Sequence, residues 1–171
     1  PNTVQQATKN VARLGVDYLT VHAAGGVRML QAAKNGAQEG ADAAGVTAPK
    51  LLAITQLTSF SEEEMQTTQL VTVPMRESVI HLAQLAAEAG VAGTISSAFE
   101  SSDIHANTPA GFLSITPGIR LAGDALGDQS RVVTPARAAE MGADGIVVGR
   151  SITQATDPVA AYQLIETEFN A

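Results

Sequence analysis

The feature that most constrains the fold is a regular alternation of short apolar runs with longer helix-like stretches. Five strand-like runs recur along the chain, namely DYLTVHA, KLLAITQLTS, GTISSA, FLSIT and GIVVG. The stretches between them repeat apolar residues at three- and four-residue steps, as on one face of a helix. Strands that alternate with helices pair in parallel through right-handed crossovers, so the sequence predicts an α/β architecture.

Local signals mark where several helices begin. Ser61 stands three residues before Glu64, which is the spacing of a capping box. Thr134 and Asp157 are each followed by proline, the favoured order of an N-cap residue and a first-turn residue. We expect the helical region that begins after Ser61 to continue through SVIHLAQLAAEAG. A short helix is predicted from Glu100.

Length and composition limit the classes of protein. With 171 residues, 45% of them hydrophobic, and no linker or low-complexity tract, residues 1–171 are predicted to form a single domain. The 10 basic and 17 acidic residues give a net charge of −7, which argues against a nucleic-acid or anionic-membrane partner. The absence of cysteine excludes disulfides and thiol nucleophiles and fits a cytoplasmic protein. No apolar run is long enough to span a bilayer.

Polar and conformationally special residues collect where the predicted strands end. They are His22, Thr58, Pro117, Arg120, Gly149 and Arg150. In parallel α/β folds, ligands bind beyond the carboxyl ends of the strands, so this clustering indicates a ligand site. Each residue alone is a weak signal, because a strand-end histidine is usually structural and threonine suits strands through its branched shape.

The two arginines point to an anion. A glycine before Arg150 lets a ligand approach the backbone N–H groups, while the guanidinium can grip an oxyanion. Loops after the last two strands of a barrel commonly form a phosphate site of this kind. The alternative is that Arg120 and Arg150 pair with surface acids, which are plentiful at this net charge.

The stretch GIRLAGDALGDQSRVVT is too long for an ordinary connection. Loops of this length in compact domains are usually lids or disordered segments. From a lid, Gln129 could donate to a phosphate. The alternative is that Gln129 is an ordinary solvent-exposed side chain that binds no ligand. The three histidines, His22, His81 and His105, show no metal-ligand spacing with acids, so no metal site is predicted.

Six segments together closely resemble orotidine 5′-phosphate decarboxylase of the bacterial type. They are PNTV, TVHAAGG, TQLTS, ITPGIR, DQSRVVTPARAAEMGAD and IVVGRSI. The resemblance implies a (β/α)₈ TIM barrel that works as a homodimer with a shared active site and without metal or organic cofactor. It also implies the conversion of orotidine 5′-phosphate to uridine 5′-phosphate (UMP) and carbon dioxide in pyrimidine biosynthesis.

The resemblance assigns a phosphate-binding group. Arg150 and the backbone of Gly149 would bind the 5′-phosphate. Gln129 would reach from the lid to the phosphate and the pyrimidine. Arg120 would help to hold the lid and the anion.

A second group would bind the rest of the nucleotide. Thr58, the second threonine of TQLTS, would hydrogen-bond the pyrimidine edge, and Pro117 would pack near the base. Thr3, with Asn2 beside it, would reach toward the ribose across the dimer interface.

The alternating aspartates and lysines that form the family's catalytic centre are expected upstream of Pro1, so no catalytic residue is assigned in this chain. Lys9, Lys34 and Lys50 do not match the family lysine that protonates C6. The chain resembles strands four to eight of the barrel. Five parallel strands cannot close a small barrel, and the edge of DYLTVHA would stay exposed. We therefore expect the 171 residues to be one piece of a longer polypeptide.

Two other functions remain open from the sequence. One is another phosphate-binding barrel, such as a sugar-phosphate decarboxylase, which would not need the lid glutamine or TQLTS. The other is a non-catalytic nucleotide-binding fragment. Binding of UMP separates the first alternative from the decarboxylase, and turnover separates the second.

Overall fold

The computed structural model describes residues 1–122 and 131–171, which form alternating strands and helices. The strands of these residues are β1 (Tyr18–His22), β2 (Lys50–Ile54), β3 (Gly93–Ile95), β4 (Leu113–Thr116) and β5 (Gly145–Ile146). The helices are α1 (Asn2–Ala12), α2 (Gly26–Ala44), α3 (Glu62–Gln69), α4 (Met75–Glu88), α5 (Ser101–Asn107), α6 (Pro135–Glu140), α7 (Arg150–Thr153) and α8 (Pro158–Phe169). The strands follow one another in the sheet in chain order, β1-β2-β3-β4-β5.

The chain divides into two compact units, and the first contains residues 1–55, 80–95 and 107–113. Its strands are parallel, with Tyr18 opposite Lys50 in the β1–β2 pair and Leu52 opposite Gly93 in the β2–β3 pair. Leu51, Leu52 and Ala53 of β2 are almost completely buried, as expected for a strand covered on both faces. The predicted parallel α/β pattern is therefore present in this unit.

Helices α1 and α2 of the first unit pack unusually closely. A Cβ atom added at Gly36 would lie 2.1 Å from the carbonyl oxygen of Gln5, and one at Gly40 would lie 2.0 Å from that of Lys9. The hydroxyl of Thr8, which is 3% exposed, donates to the carbonyl oxygen of Ala33 at 2.9 Å. The glycines in α2 are thus explained by backbone-to-backbone approach.

The second unit contains residues 56–79, 96–106 and 114–171. Its β4–β5 pair is parallel, with Ile115 opposite Gly145 and Thr116 opposite Ile146. Ala98, Ile119 and Ala138 form a buried cluster. Partly buried hydrophobic residues pack against this cluster, namely Val133, Met141, Ala143, Ile146, Val148 and Phe169.

The predicted helix caps are confirmed. The Ser61 hydroxyl accepts from the backbone N–H of Glu64 at 3.1 Å, and the Glu64 carboxylate accepts from the Ser61 N–H at 2.8 Å. Thr134 accepts from the N–H of Arg137, and Asp157 accepts from two N–H groups of α8.

The prediction of one continuous helical region after Ser61 was wrong. The region after Ser61 is two helices, α3 and α4, because Leu70 adopts a left-handed conformation with φ of 56°. Pro74 then precedes α4, and a proline cannot continue a helix from the residues before it.

The strand predicted from GIVVG is also shorter in the structure. β5 contains only Gly145 and Ile146. The N–H of Val147 still donates to the carbonyl oxygen of Thr116 at 2.9 Å, so the extended chain continues one residue beyond β5.

Candidate functional site

The second unit brings the ends of two neighbouring strands together. Because β4 and β5 are parallel and paired through Thr116 and Ile146, the segments that follow them leave the sheet at the same edge. These segments are residues 117–120 and 147–150. Four of the residues predicted to bind substrate, Pro117, Arg120, Gly149 and Arg150, therefore follow adjacent strand ends, as expected for a ligand site of a parallel sheet.

Arg120 is held at the end of β4 by backbone and side-chain contacts. Gly118 turns the chain with φ of 79°, and Ile119 is fully buried. The N–H of Arg120 donates to the carbonyl oxygen of Val133 at 3.0 Å, and the N–H of Val133 donates to that of Gly118 at 3.2 Å. The Arg120 side chain is buried, and its Nη1 donates to the carbonyl oxygen of Ile119 at 2.8 Å. A cation is thus fixed where β4 ends.

Gly149 and Arg150 lie at the end of the adjacent strand segment. Both residues are exposed, and Arg150 begins the one-turn helix α7. The N–H groups of Ile152 and Thr153 donate to the carbonyl oxygen of Gly149 at 2.9 and 3.0 Å. A Cβ atom at Gly149 would meet no heavy atom within 4 Å. This segment therefore places an exposed arginine next to a glycine with open space beside it.

Thr58 belongs to the loop after β2. It is 8% exposed, and the neighbouring Gln56 is 5% exposed. Nε2 of Gln56 donates to the hydroxyl of Ser78 at 3.0 Å, which ties this loop to α4. The N–H of Phe60 donates to the carbonyl oxygen of Leu57 at 3.0 Å and closes a turn around Thr58. Local hydrogen bonds thus define the conformation of the TQLTS segment.

The other predicted substrate-binding residues are placed differently. Asn2 and Thr3 form the first turn of α1 in the first unit, and both are exposed. Gln129 lies outside the described residues. The binding roles assigned to these three residues, like those of the other five, stay predictions.

The three lysines belong to the first unit. Nζ of Lys9 contacts a carboxylate oxygen of Glu39 at 3.0 Å. Nζ of Lys34 lies beside Gly90, where an added Cβ atom would be 2.7 Å from it. Lys50 begins β2 and so lies at the amino end of that strand. None of these positions is the carboxyl end of a strand, where chemistry is expected in such folds.

Sequence analysis missed a buried ion pair in the second unit. Glu100 ends the short 3₁₀ turn Ala98–Glu100 and is 4% exposed. Its Oε1 accepts from Nη2 of Arg131, whose side chain is 17% exposed. The Arg131 guanidinium carbon also lies 5.7 Å from the centroid of the Phe99 ring. The available signal was an acidic residue two positions after the run GTISSA. No neighbouring residue indicates that Arg131 is its partner.

Burial controls the electrostatics of this pair. Loss of hydration raises the pKa of the Glu100 carboxyl above its ordinary value of 4.5, although the nearby Arg131 opposes this change. Among residues 1–122 and 131–171, no group of three or more acidic, histidine or cysteine side chains could hold a metal ion. None of the helices in those ranges is both long and apolar enough to cross a bilayer.

A family model decides the relationship to known proteins. The model described as "Orotidine 5'-phosphate decarboxylase / HUMPS family" matches residues 1–165. The chain belongs to this family. The resemblance seen in the six sequence segments is confirmed.

Relatives and solved structures agree with the family. Orotidine 5′-phosphate decarboxylase of Enterococcus faecalis is 54% identical over 170 residues, covering 99% of this chain and 71% of that protein. The enzyme of the same name from Cutibacterium acnes is 55% identical, covering 100% of this chain and 70% of that protein.

The crystal structure of orotidine 5′-phosphate decarboxylase from Lactobacillus acidophilus matches with a TM-score of 0.86 and 45% identity, covering 100% of this chain and 71% of that one. The structure of the same enzyme from Pyrococcus horikoshii has a TM-score of 0.70 at 22% identity, covering 100% and 69%, and supports the fold alone. The α/β fold predicted as part of a TIM barrel is confirmed.

Proposed function

We propose that this chain serves the decarboxylation of orotidine 5′-phosphate to UMP and carbon dioxide in pyrimidine biosynthesis. The observation that carries the proposal is the position of Arg120 and Arg150 after the adjacent strands β4 and β5, in a chain 54% identical to a relative of that name. The enzyme class is a carboxy-lyase that needs no cofactor.

In this proposal, the two arginines supply the phosphate site. The accessible guanidinium of Arg150 and the backbone of Gly149 take the 5′-phosphate, and the buried Arg120 adds a second fixed positive charge. Charge-assisted bonds from a planar guanidinium to phosphate oxygens are strong and directional. Gln129 is proposed to complete this group.

The remaining residues bind the nucleoside. The Thr58 hydroxyl bonds the pyrimidine edge, and Pro117 packs near the base. Thr3 and Asn2, both exposed on the first turn of α1, reach the ribose of a partner subunit in a homodimer. We also propose a cytoplasmic location, which the cysteine-free composition favours.

The chemical step follows the family's mechanism. Decarboxylation proceeds through a carbanion-like state at C6 that a nearby ammonium stabilises, and the aspartate and lysine groups responsible are not assigned within residues 1–171. The contribution of this chain is binding of a phosphate remote from C6. Such remote binding lowers the barrier when its interactions are stronger in the transition state than in the bound substrate.

Two measurements test the proposal. Calorimetry with UMP, uridine and inorganic phosphate should show that UMP binds more tightly than either fragment. Orotidine 5′-phosphate should be converted to UMP by the protein as its gene encodes it. Binding of UMP no tighter than uridine, or turnover of a sugar phosphate instead, would overturn the proposal. Binding of UMP without turnover would favour a non-catalytic nucleotide-binding fragment.

A further inference from the structure

The buried pair between Glu100 and Arg131 leaves polar atoms unused. Oε2 of Glu100 and Nη1 of Arg131 are both buried and have no hydrogen-bond partner among the described residues. A buried ion pair often contributes little net stability, because removing two charges from water costs about as much as their attraction returns. Stability alone therefore does not account for this pair.

The pair is connected to Arg120 through three consecutive residues. Arg131 lies two residues before Val133, which exchanges two hydrogen bonds with the segment Gly118–Arg120, at 3.0 and 3.2 Å. This exchange is a parallel bridge in which Ile119 lies opposite Val133. A shift of Arg131 would therefore move the backbone that holds Arg120.

Packing connects the same elements a second time. Ala98, two residues before Glu100, belongs to the buried cluster that contains Ile119, and Val133 packs against that cluster. The turn that carries Glu100, the segment that carries Arg131 and the segment that carries Arg120 thus share one core. Side chains in such a core have few alternative positions.

We propose that Glu100 is a positioning residue for substrate binding: through Arg131 and Val133 it fixes the backbone of Arg120, and so the place of that guanidinium in the phosphate site. This inference rests on the proposed function. Glu100 itself touches no substrate. The preference of the site for UMP over uridine would therefore depend on a carboxylate that lies outside the site.

The test compares UMP with uridine, which lacks the phosphate. In Glu100→Gln, the dissociation constant for UMP should rise at least about tenfold, as expected when a charge-assisted contact is lost, while that for uridine stays the same. In an Arg120→Ala background, Glu100→Gln should cause no further loss of UMP affinity. A merely structural role would weaken both ligands and would persist in the double variant.

Asp103 provides a matched control. It also pairs with an arginine, Arg76, at 2.5 Å, but that arginine side chain is 68% exposed. Asp103→Asn should leave the ratio of the two dissociation constants unchanged. Arg131→Lys keeps the charge without the planar fork and should give a smaller loss specific to UMP.

The outcomes separate the two proposals. If the unmodified protein binds UMP no tighter than uridine, the proposed function fails. If it prefers UMP and Glu100→Gln keeps the full preference, the positioning role of Glu100 is wrong and the proposed function stands.

Discussion

The N–H of Arg120 donates to the carbonyl oxygen of Val133 at 3.0 Å, and this bond holds together two segments that are separated by residues 123–130 in the chain. The Arg120 side chain is 8% exposed and donates to the carbonyl oxygen of Ile119 at 2.8 Å. A buried guanidinium held at both backbone and side chain has few alternative positions. The phosphate site proposed here therefore combines one fixed cation, Arg120, with one accessible cation, Arg150.

Arg120→Lys should weaken UMP binding by about tenfold, because lysine keeps the charge but lacks the planar fork that can contact phosphate and the Ile119 carbonyl together. The measurement is calorimetric titration with UMP. Arg137→Lys is the control, since Arg137 is an exposed arginine paired with Glu140 on the same helix. Equal affinity in Arg120→Lys and the unmodified protein would remove Arg120 from the phosphate site.

Arg150→Ala should lower kcat/KM for orotidine 5′-phosphate by three to four orders of magnitude, about 5 kcal/mol at 1.4 kcal/mol per tenfold. The reason is that its guanidinium is the accessible cation beside open backbone at Gly149. Steady-state decarboxylation by the protein as its gene encodes it is the readout. Arg137→Ala should change kcat/KM little. A loss below about tenfold in Arg150→Ala would contradict the assignment.

Thr58→Val should weaken UMP binding by about fivefold, the effect of losing one hydrogen bond of about 1 kcal/mol. Valine keeps the branched shape, so packing of this buried loop is preserved. The loss should also appear with uridine, because the proposed partner is the pyrimidine edge and not the phosphate. Thr67→Val is the control, since the Thr67 hydroxyl donates within α3 to the carbonyl oxygen of Glu63. An unchanged affinity for uridine in Thr58→Val would assign the hydroxyl to another role.

Features decided by neighbouring residues could be predicted from the sequence. The capping box of Ser61 and Glu64 and the caps at Thr134 and Asp157 depend on side chains within three residues of the backbone they bind. The parallel α/β pattern follows from the alternation of apolar runs and helices. Strands β4 and β5 are parallel, so their carboxyl ends lie at the same edge of the sheet. The predicted site residues Pro117, Arg120, Gly149 and Arg150 follow these two ends.

Features decided by distant residues could not be predicted. Glu100 and Arg131 are 31 residues apart, and no periodic pattern links them. The approach of Gly36 to Gln5 depends on how α1 lies against α2, so the sequence showed only a helix interrupted by glycine. The break at Leu70 depends on a left-handed conformation that leucine rarely adopts, and composition does not indicate it.

Gly36→Ala should destabilise the chain although alanine is the better helix former. The gain in helix propensity is about 1 kcal/mol, but the added methyl would lie 2.1 Å from the Gln5 carbonyl oxygen and 2.6 Å from the Thr8 hydroxyl. We expect a net loss of about 1–3 kcal/mol, measured by urea unfolding. Asn35→Ala on the exposed face of α2 should be neutral or stabilising. Equal stability of Gly36→Ala and the unmodified chain would mean that α1 and α2 do not pack this closely.

The pH dependence of stability should reveal the cost of burying Glu100. Burial raises the pKa of this carboxyl above 4.5; Arg131 and Arg76 oppose the increase, and Asp103 adds to it. The folded state therefore holds the Glu100 proton more tightly than the unfolded state does. The protonated carboxyl contributes to the free energy of unfolding below pH 4.5, and this contribution is lost as the pH rises through the folded pKa. Glutamine cannot titrate.

The unmodified chain should therefore lose stability relative to Glu100→Gln as the pH rises above 4.5, which urea unfolding at a series of pH values would measure. Asp103→Asn should show the opposite sign, because the hydrogen bond from Arg76 lowers the pKa of Asp103 below 3.8. In that comparison, the unmodified chain should lose stability relative to Asp103→Asn as the pH falls through the lowered pKa of Asp103. Parallel pH profiles for Glu100→Gln and the unmodified chain would show that burial does not raise the pKa of this carboxyl.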